Sequence, residues 1–214
     1  EIRYKGMDKI KRSLPLLLLL MVSFASVAAE SAAGLLARCA EKLVSAPSVS
    51  AAFSIRASDG EDIAGSIVMA RERFRMTSPR LHMWFDGRTQ WTALEASKEV
   101  NVTEPTADEL LASNPFAIIT GYGSKYNCRL LPSTEKNSVR RVELTPKKAG
   151  ADIRRAVIAI DTHTLWPVKV TVTMASGATV DAVVSSCTVG KKLSASEFVF
   201  NPSSLPGYEV VDLR

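Results

Sequence analysis

Residues 104–123, EPTADELLASNPFAIITGYG, break the pattern of everything around them. Thr106-Ala-Asp-Glu109 has capping-box spacing: the threonine hydroxyl accepts from the backbone N–H three residues on, and Glu109 reaches back to the N–H at the helix start. Asn114-Pro115 ends those first turns and starts a second helical piece. Asn caps well, and Pro at a first helical position lacks only an N–H that has no helical partner. Gly121 and Gly123 stop it. Between these signals stand Leu110, Leu111, Phe116, Ile118 and Ile119, too much apolar surface for so short a solvated helix. The stretch must therefore lie against something apolar. Two readings follow: a helix that completes an ordinary core on a sheet, or a lid over a cavity that the sheet alone cannot fill.

Toward the N-terminus, residues 31–46 carry Leu35, Leu36, Cys39, Ala40, Leu43 and Val44 as a stripe at helical spacing, closed by Pro47. Strand signals come next: 49–57, with Phe53 and Ile55 on one face, then Ile63, Gly65, Ile67 and Met69 at a two-residue period that Phe74 and Met76 continue. Asp86-Gly87-Arg88 between the apolar-aromatic runs 81–85 and 89–94 is a hairpin signal, and 100–102 adds one more short strand. Toward the C-terminus, 126–131, 139–145, 154–161, 167–174, 179–189 and 197–201 all read as strands. The count approaches eleven, spaced too closely for crossover helices, so the chain is mainly β with short α-helices in one large antiparallel sheet that curls or closes. A concave face that wide is not filled by ordinary side chains. Its inward set, by alternation, is Ile63, Ile67, Met69, Phe74, Leu81, Met83 and Trp91, which form either the wall of a hollow or a packed core.

The 214 residues carry a formal charge of +5, but much of it sits at the front. Met7 is followed by Asp8-Lys9-Ile10-Lys11-Arg12, an apolar run from 14 to 25, and small residues ending at Ala29, the order of a secretory signal. Cleavage is expected after Ala29, leaving one domain over 30–214. The apolar run is shorter than the roughly 20 residues a membrane span needs. Residues 1–29 hold five basic and two acidic side chains, so the remainder carries +2. That modest charge, without clustered Lys and Arg among aromatics, argues against nucleic acid as a partner.

Cys39, Cys128 and Cys187 cannot all pair. Cys39 falls on the inner face of the first helix, where a buried thiol is the common outcome, whereas Cys128 and Cys187 lie in separate strands and are the candidate bridge. His82 and His163 stand in neither metal-ligand nor nucleophile–base spacing. Gly121-Tyr-Gly-Ser124 is no nucleophile elbow, because its serine lacks the flanking glycines. Glu61-Asp62 and Asp108-Glu109 fit a turn and a helix start. The chain reads as a binder and not as an enzyme, with no cofactor or metal.

Several stretches together resemble the periplasmic outer-membrane lipoprotein carrier family, LolA: SAAFS (50–54), GSIVMAR (65–71), FDGRTQW (85–91), SNPF (113–116), VELTP (142–146), FVFNP (198–202) and VDLR (211–214). The resemblance implies an incomplete, half-open antiparallel β-barrel with a helical lid over an apolar cavity that holds the acyl chains of a lipoprotein in transit. It selects Phe53, Ile63, Ile67, Met69, Phe74, Leu81, Met83 and Trp91 as cavity residues and Leu110, Leu111, Phe116, Ile118 and Ile119 as the lid face. Arg71 matches the family's lid-gating arginine, whose implied role is to donate hydrogen bonds to lid carbonyls in the closed state. The family usually has Pro after that arginine, where this chain has Glu72. The implied partners of a periplasmic monomer are acylated lipoproteins, an inner-membrane ABC transporter of the Lol type and a LolB-like outer-membrane receptor. Other readings are a carrier or sensor of another envelope lipid, related to RseB, or a secreted lipid-modifying enzyme.

Overall fold

The computed structural model describes residues 31–58, 62–106, 109, 110, 114, 116–132 and 138–214; the leader lies outside them, as do Leu111 and Pro115. Ser31 accepts a hydrogen bond from the Gly34 N–H and starts helix α1, Ala32–Ser45, as a serine cap should. Six strands follow: β1 Ser48–Ala57, β2 Ile63–Ala70, β3 Arg73–Thr77, β4 Leu81–Phe85, β5 Gln90–Leu94 and β6 Glu99–Thr103. The segment 104–125, which contains helix α2, Ala117–Gly121, leads to β7 Tyr126–Leu130, β8 Val139–Pro146, β9 Ile153–Asp161, β10 Pro167–Met174 and β11 Thr179–Gly190. Two short 3₁₀ turns, Ala195–Phe198 and Pro202–Ser204, precede the last strand, β12 Glu209–Asp212.

Among the described residues, twelve strands form one open sheet in the order β12-β6-β5-β4-β3-β2-β1-β11-β10-β9-β8-β7. Each half is a meander, and the halves join through β1 and β11. The Asp-Gly hairpin forms as read: Asp86 Oδ1 accepts from the N–H groups of Arg88 and Thr89, both at 2.8 Å, and Gly87 takes φ 107°. Two details differ from the sequence reading. Residues 197–201 are a 3₁₀ turn and extended chain instead of a strand, and β12 pairs parallel with β6. Residues 191–208, between β11 and β12, carry the chain across the outer face to that edge.

The sheet curls because its two halves share one core. Phe74 and Met83 belong to the same buried cluster as Val142 and Ile158, although β3 and β9 are five strand positions apart, about 24 Å on a flat sheet. Leu35, Leu36, Cys39 and Leu43 of α1 fill the trough between the halves. Outside the helix, Lys42 Nζ lies 4.1 Å above the Trp166 ring and donates to the Thr164 carbonyl, tying α1 to the β9–β10 turn.

Candidate functional site

Segment 104–125 leaves β6, one strand in from one rim of the sheet, and enters β7, which is the other rim. It therefore crosses the mouth of the trough. The capping box forms: Thr106 N–H donates to Glu109 Oε2 at 2.7 Å, Thr106 Oγ1 donates to the same oxygen at 2.9 Å, and Glu109 N–H donates to Thr106 Oγ1 at 3.3 Å. Those bonds from Thr106 hold the Glu109 carboxyl below the usual carboxylate range. Leu110 N–H donates to Thr106 and Asn114 N–H to Leu110, completing the first turns. Asn114 is buried and its Oδ1 accepts from the Phe116 N–H at 3.0 Å, starting the turn into α2. Phe116, Ile118 and Ile119 are buried in the trough cluster, and Leu110 packs at its edge.

Beneath them, Phe53, Ile67, Phe74 and Met83 are buried in that cluster, and Met69 and Leu81 pack against it half-buried. Ile63 shares the face through its pairing opposite Ile55, and is half-buried at the outer end. Phe53 links wall to lid: its ring meets Phe116 edge-on, with centroids 6.3 Å apart. Gly65 makes room for it, because a Cβ there would stand 2.9 Å from the Phe53 ring and 2.6 Å from the Thr77 carbonyl oxygen.

Trp91 is not part of this wall. The hairpin register sets Trp84 opposite Trp91 and Phe85 opposite Gln90, so Trp91 points to the outer face with Ala93 and Val100. There it packs against the buried cluster of Ala93, Val100 and Phe200, as do Leu205 and Tyr208 of the C-terminal segment. Both faces of β5 are covered, and an apolar side chain alone does not tell which face is the inner one. The second half of the wall, Val142, Leu144, Ile158, Ile160, Val170 and Val172, was legible as alternation in 139–145, 154–161 and 167–174 but was not assigned to the site.

Arg71 sits in the two-residue turn between β2 and β3 with φ 57°, a left-handed conformation uncommon outside glycine and asparagine. It is exposed and lines an open cleft of about 930 Å³ with Val44 and Ser45 of α1 and Thr120 and Gly121 of α2. Among the described residues Arg71 makes no hydrogen bond or ion pair, so the bonds to lid carbonyls expected from the resemblance are not formed here. Cys128 and Cys187 do not bridge: β7 and β11 are separated by three strands, about 19 Å edge to edge, beyond the reach of a disulfide. Cys187 instead lies near Cys39. Burial, and to a lesser extent the Cys187 thiolate, push the Cys39 thiol up to about 12, and burial pushes Cys187 to about 11.

Among the described residues no cluster of three His, Cys, Asp or Glu could hold a metal ion, and no helix is long and apolar enough to cross a membrane.

Residues 21–178 match the sequence family described as outer membrane lipoprotein carrier protein LolA. No curated protein matches the chain. Among solved structures it is similar to an uncharacterized conserved protein from Thermus thermophilus, at 13% identity and TM-score 0.57 over 84% of this chain and 98% of that one. It is also similar to a LolA superfamily protein from Nitrosomonas europaea, at 12% and 0.43 over 79% and 98%. A chain of the Pseudomonas aeruginosa MucA/MucB complex aligns at 16% and 0.43 over 79% of this chain and 61% of that one. At 13% identity the likeness to the Thermus thermophilus protein is one of fold alone.

Proposed function

The chain belongs to the family of the outer membrane lipoprotein carrier protein LolA, and from that premise we propose that it carries the acyl chains of lipoproteins through the periplasm, from the inner membrane toward the outer. The observation that carries this reading is the segment from β6 to β7, which spans the mouth of the trough and lays Leu110, Phe116, Ile118 and Ile119 onto its apolar face. Each acyl methylene withdrawn from water gains about 0.8 kcal/mol, so a multiply acylated protein needs a shielded site to cross an aqueous space. In the closed state that site is filled by the carrier's own side chains. Cargo must displace them, which lowers its net affinity and makes hand-over feasible.

In this role the wall residues Phe53, Ile63, Ile67, Met69, Phe74, Leu81 and Met83 take the chains, and the lid residues withdraw to admit them. The exposed Arg71 shares a cleft with Thr120 and Gly121 at the end of α2, and that nearness supports a role in which its guanidinium fork engages lid carbonyls when the lid moves. The carrier works as a monomer, exported by residues 1–29, without enzymatic activity or cofactor. It receives lipoprotein from an inner-membrane ABC transporter and delivers it to a LolB-like receptor.

The test is mass spectrometry of what co-purifies with the full-length product exported in its native cells. Triacylated lipoprotein at one-to-one stoichiometry, lost in Leu110→Asp, is the expected result. Protein that is empty and indifferent to added lipoprotein would overturn the proposal.

A further inference from the structure

Positive charge is concentrated on the β8–β9 hairpin. Residues 138–155 hold six basic and two acidic side chains, a net +4, whereas residues 30–214 together come to +2. The rest of that span is therefore net negative, and the asymmetry marks one surface. At the tip of the hairpin, Lys147, Lys148 and Arg154 line an open cleft of about 650 Å³ with Thr145 and Gly150. All three are exposed, and among the described residues their side chains make no hydrogen bond or ion pair. Asp152 is the only acid of the turn and does not line the cleft.

Farther along the outer face, Glu143 is buried between two arginines. Arg129 donates from Nε to one carboxylate oxygen at 2.6 Å, and Arg155 donates from Nε to the other. Each guanidinium is held by Nε alone, which leaves its terminal amino groups without a partner among the described residues, on side chains 69% and 46% exposed. From Glu143 to Lys147 is about 13 Å of extended chain, so these five cations cover far more than one phosphate ion. They fit an array of anions. No aromatic ring lines the cleft for a nucleic-acid base to stack on, and the turn carries the small residues Ala149, Gly150 and Ala151, which let its backbone approach a flat surface. The hairpin also adjoins the lid: Lys147 N–H donates to the Lys125 carbonyl at 2.9 Å, where segment 104–125 enters β7.

We propose that the β8–β9 hairpin, with Arg129 of β7, is a membrane-docking surface. Lys147, Lys148, Arg154, Arg129 and Arg155 meet the phosphates of an anionic phospholipid leaflet and set the end of the lid against it. Lysines and arginines are drawn to the negative potential of such a leaflet, and guanidinium forks match phosphate oxygens in pairs. The dock is distinct from the trough that takes acyl chains, and rests on the carrier reading only for the compartment in which the chain meets a leaflet.

Vesicle flotation tests it on the full exported protein. Wild type is expected to bind vesicles containing phosphatidylglycerol, to release them as salt is raised, and to leave pure phosphatidylcholine vesicles unbound. Lys147→Gln/Lys148→Gln should weaken that binding about 25-fold, roughly 5-fold per cation. Lys191→Gln/Lys192→Gln removes the same charge from exposed lysines just past the opposite end of β11 and should leave binding unchanged. Equal loss in both variants would reduce the effect to net charge and overturn the dock. So would equal binding to both kinds of vesicle, binding to neither, or tighter binding to duplex DNA than to the anionic vesicles. Those outcomes leave the carrier reading standing, because co-purified lipoprotein decides it. An empty protein whose vesicle binding depends on Lys147 and Lys148 would keep the dock and lose the carrier.

Discussion

The sheet is covered twice by chain that is not sheet, and the two covers are held differently. On the outer face of β3–β6 the C-terminal segment brings Phe198, which has no exposed surface, and Phe200, whose ring stands 5.3 Å from that of Trp84. Charged side chains fasten it: Arg73 lies 5.0 Å over the Phe198 ring, Arg75 reaches Glu197 at 3.3 Å, and Lys98 donates to the Tyr208 hydroxyl. β12 then bonds to β6. On the inner face, the hydrogen bonds of Thr106, Glu109, Asn114 and Phe116 close on the lid segment itself, and Phe116, Ile118 and Ile119 meet the wall through apolar contact. A cover fastened by a strand and ion pairs comes off only with the fold. One whose helical-turn bonds are internal can lift away while keeping them, at the cost of exposed apolar surface and of the solvent-exposed Arg88–Glu104 pair at its start.

Truncation should separate the two most sharply. Phe198→Ala is expected to cost about 3–5 kcal/mol in urea unfolding, the usual loss for a buried phenylalanine. Phe116→Ala should cost less, because a lid that opens caps the penalty at its opening free energy. Equal losses would mean that the lid is ordinary core. Gly65→Ala forces the Phe53 ring or the Thr77 backbone to shift and is expected to cost about 1–3 kcal/mol, as overpacking does. Its signature is faster amide exchange at Ile118 and Ile119 with β6 amides unchanged. Thr106→Ala removes a cap worth about 1 kcal/mol of local helix stability, visible as lid exchange with little change in the urea midpoint.

Acid should act on both the lid and the frame. Glu109 is held low by Thr106. Burial pushes the Glu143 carboxyl up, but hydrogen bonds and charge from Arg129 and Arg155 outweigh it and hold it below the ordinary range. A carboxyl depressed in the folded state contributes stability that is complete above its unfolded value, about 4.3, and is lost as pH falls through the folded value. Lid exchange should therefore quicken and the urea midpoint should drop as pH falls below about 4.3. Glu143→Gln should flatten part of the midpoint's dependence while lowering it at neutral pH, the rest belonging to Glu95, Asp161 and Asp212, whose carboxyls are held at about 2 chiefly by side-chain hydrogen bonds. An unchanged pH profile in that variant would mean that Glu143 is not among the groups responsible.

The lid was legible because its signals are local: Thr106 and Glu109 three apart, then Asn114 and the apolar residues after it. The inner wall was legible where only one face of a strand is covered, as in β2, where Ile67 and Met69 face the core and Ala64 and Ser66 on the other face are exposed. Trp91 was misplaced for the opposite reason, since the cover over its face comes from residues more than a hundred positions later. Distance in the chain also hid the parallel pairing of β12. The cysteines failed likewise, because strand neighbours cannot be read until the order of the sheet is known, and that order sets Cys187 near Cys39. Gln90, Thr92, Asn101 and Thr103 look like solvent-facing residues until the register turns them inward.

A strap fixed to opposite sides of a curled sheet has a length that the width of the trough must match. The five residues of α2 rise about 1.5 Å each as helix and would rise about 3.3 Å each if drawn straight. Unwinding that helix would lengthen the strap by about 9 Å, close to two strand spacings. Its short helical turns are thus stored slack, and on the carrier reading the largest cargo would be set by how much can be let out before β6 and β7 are pulled upon.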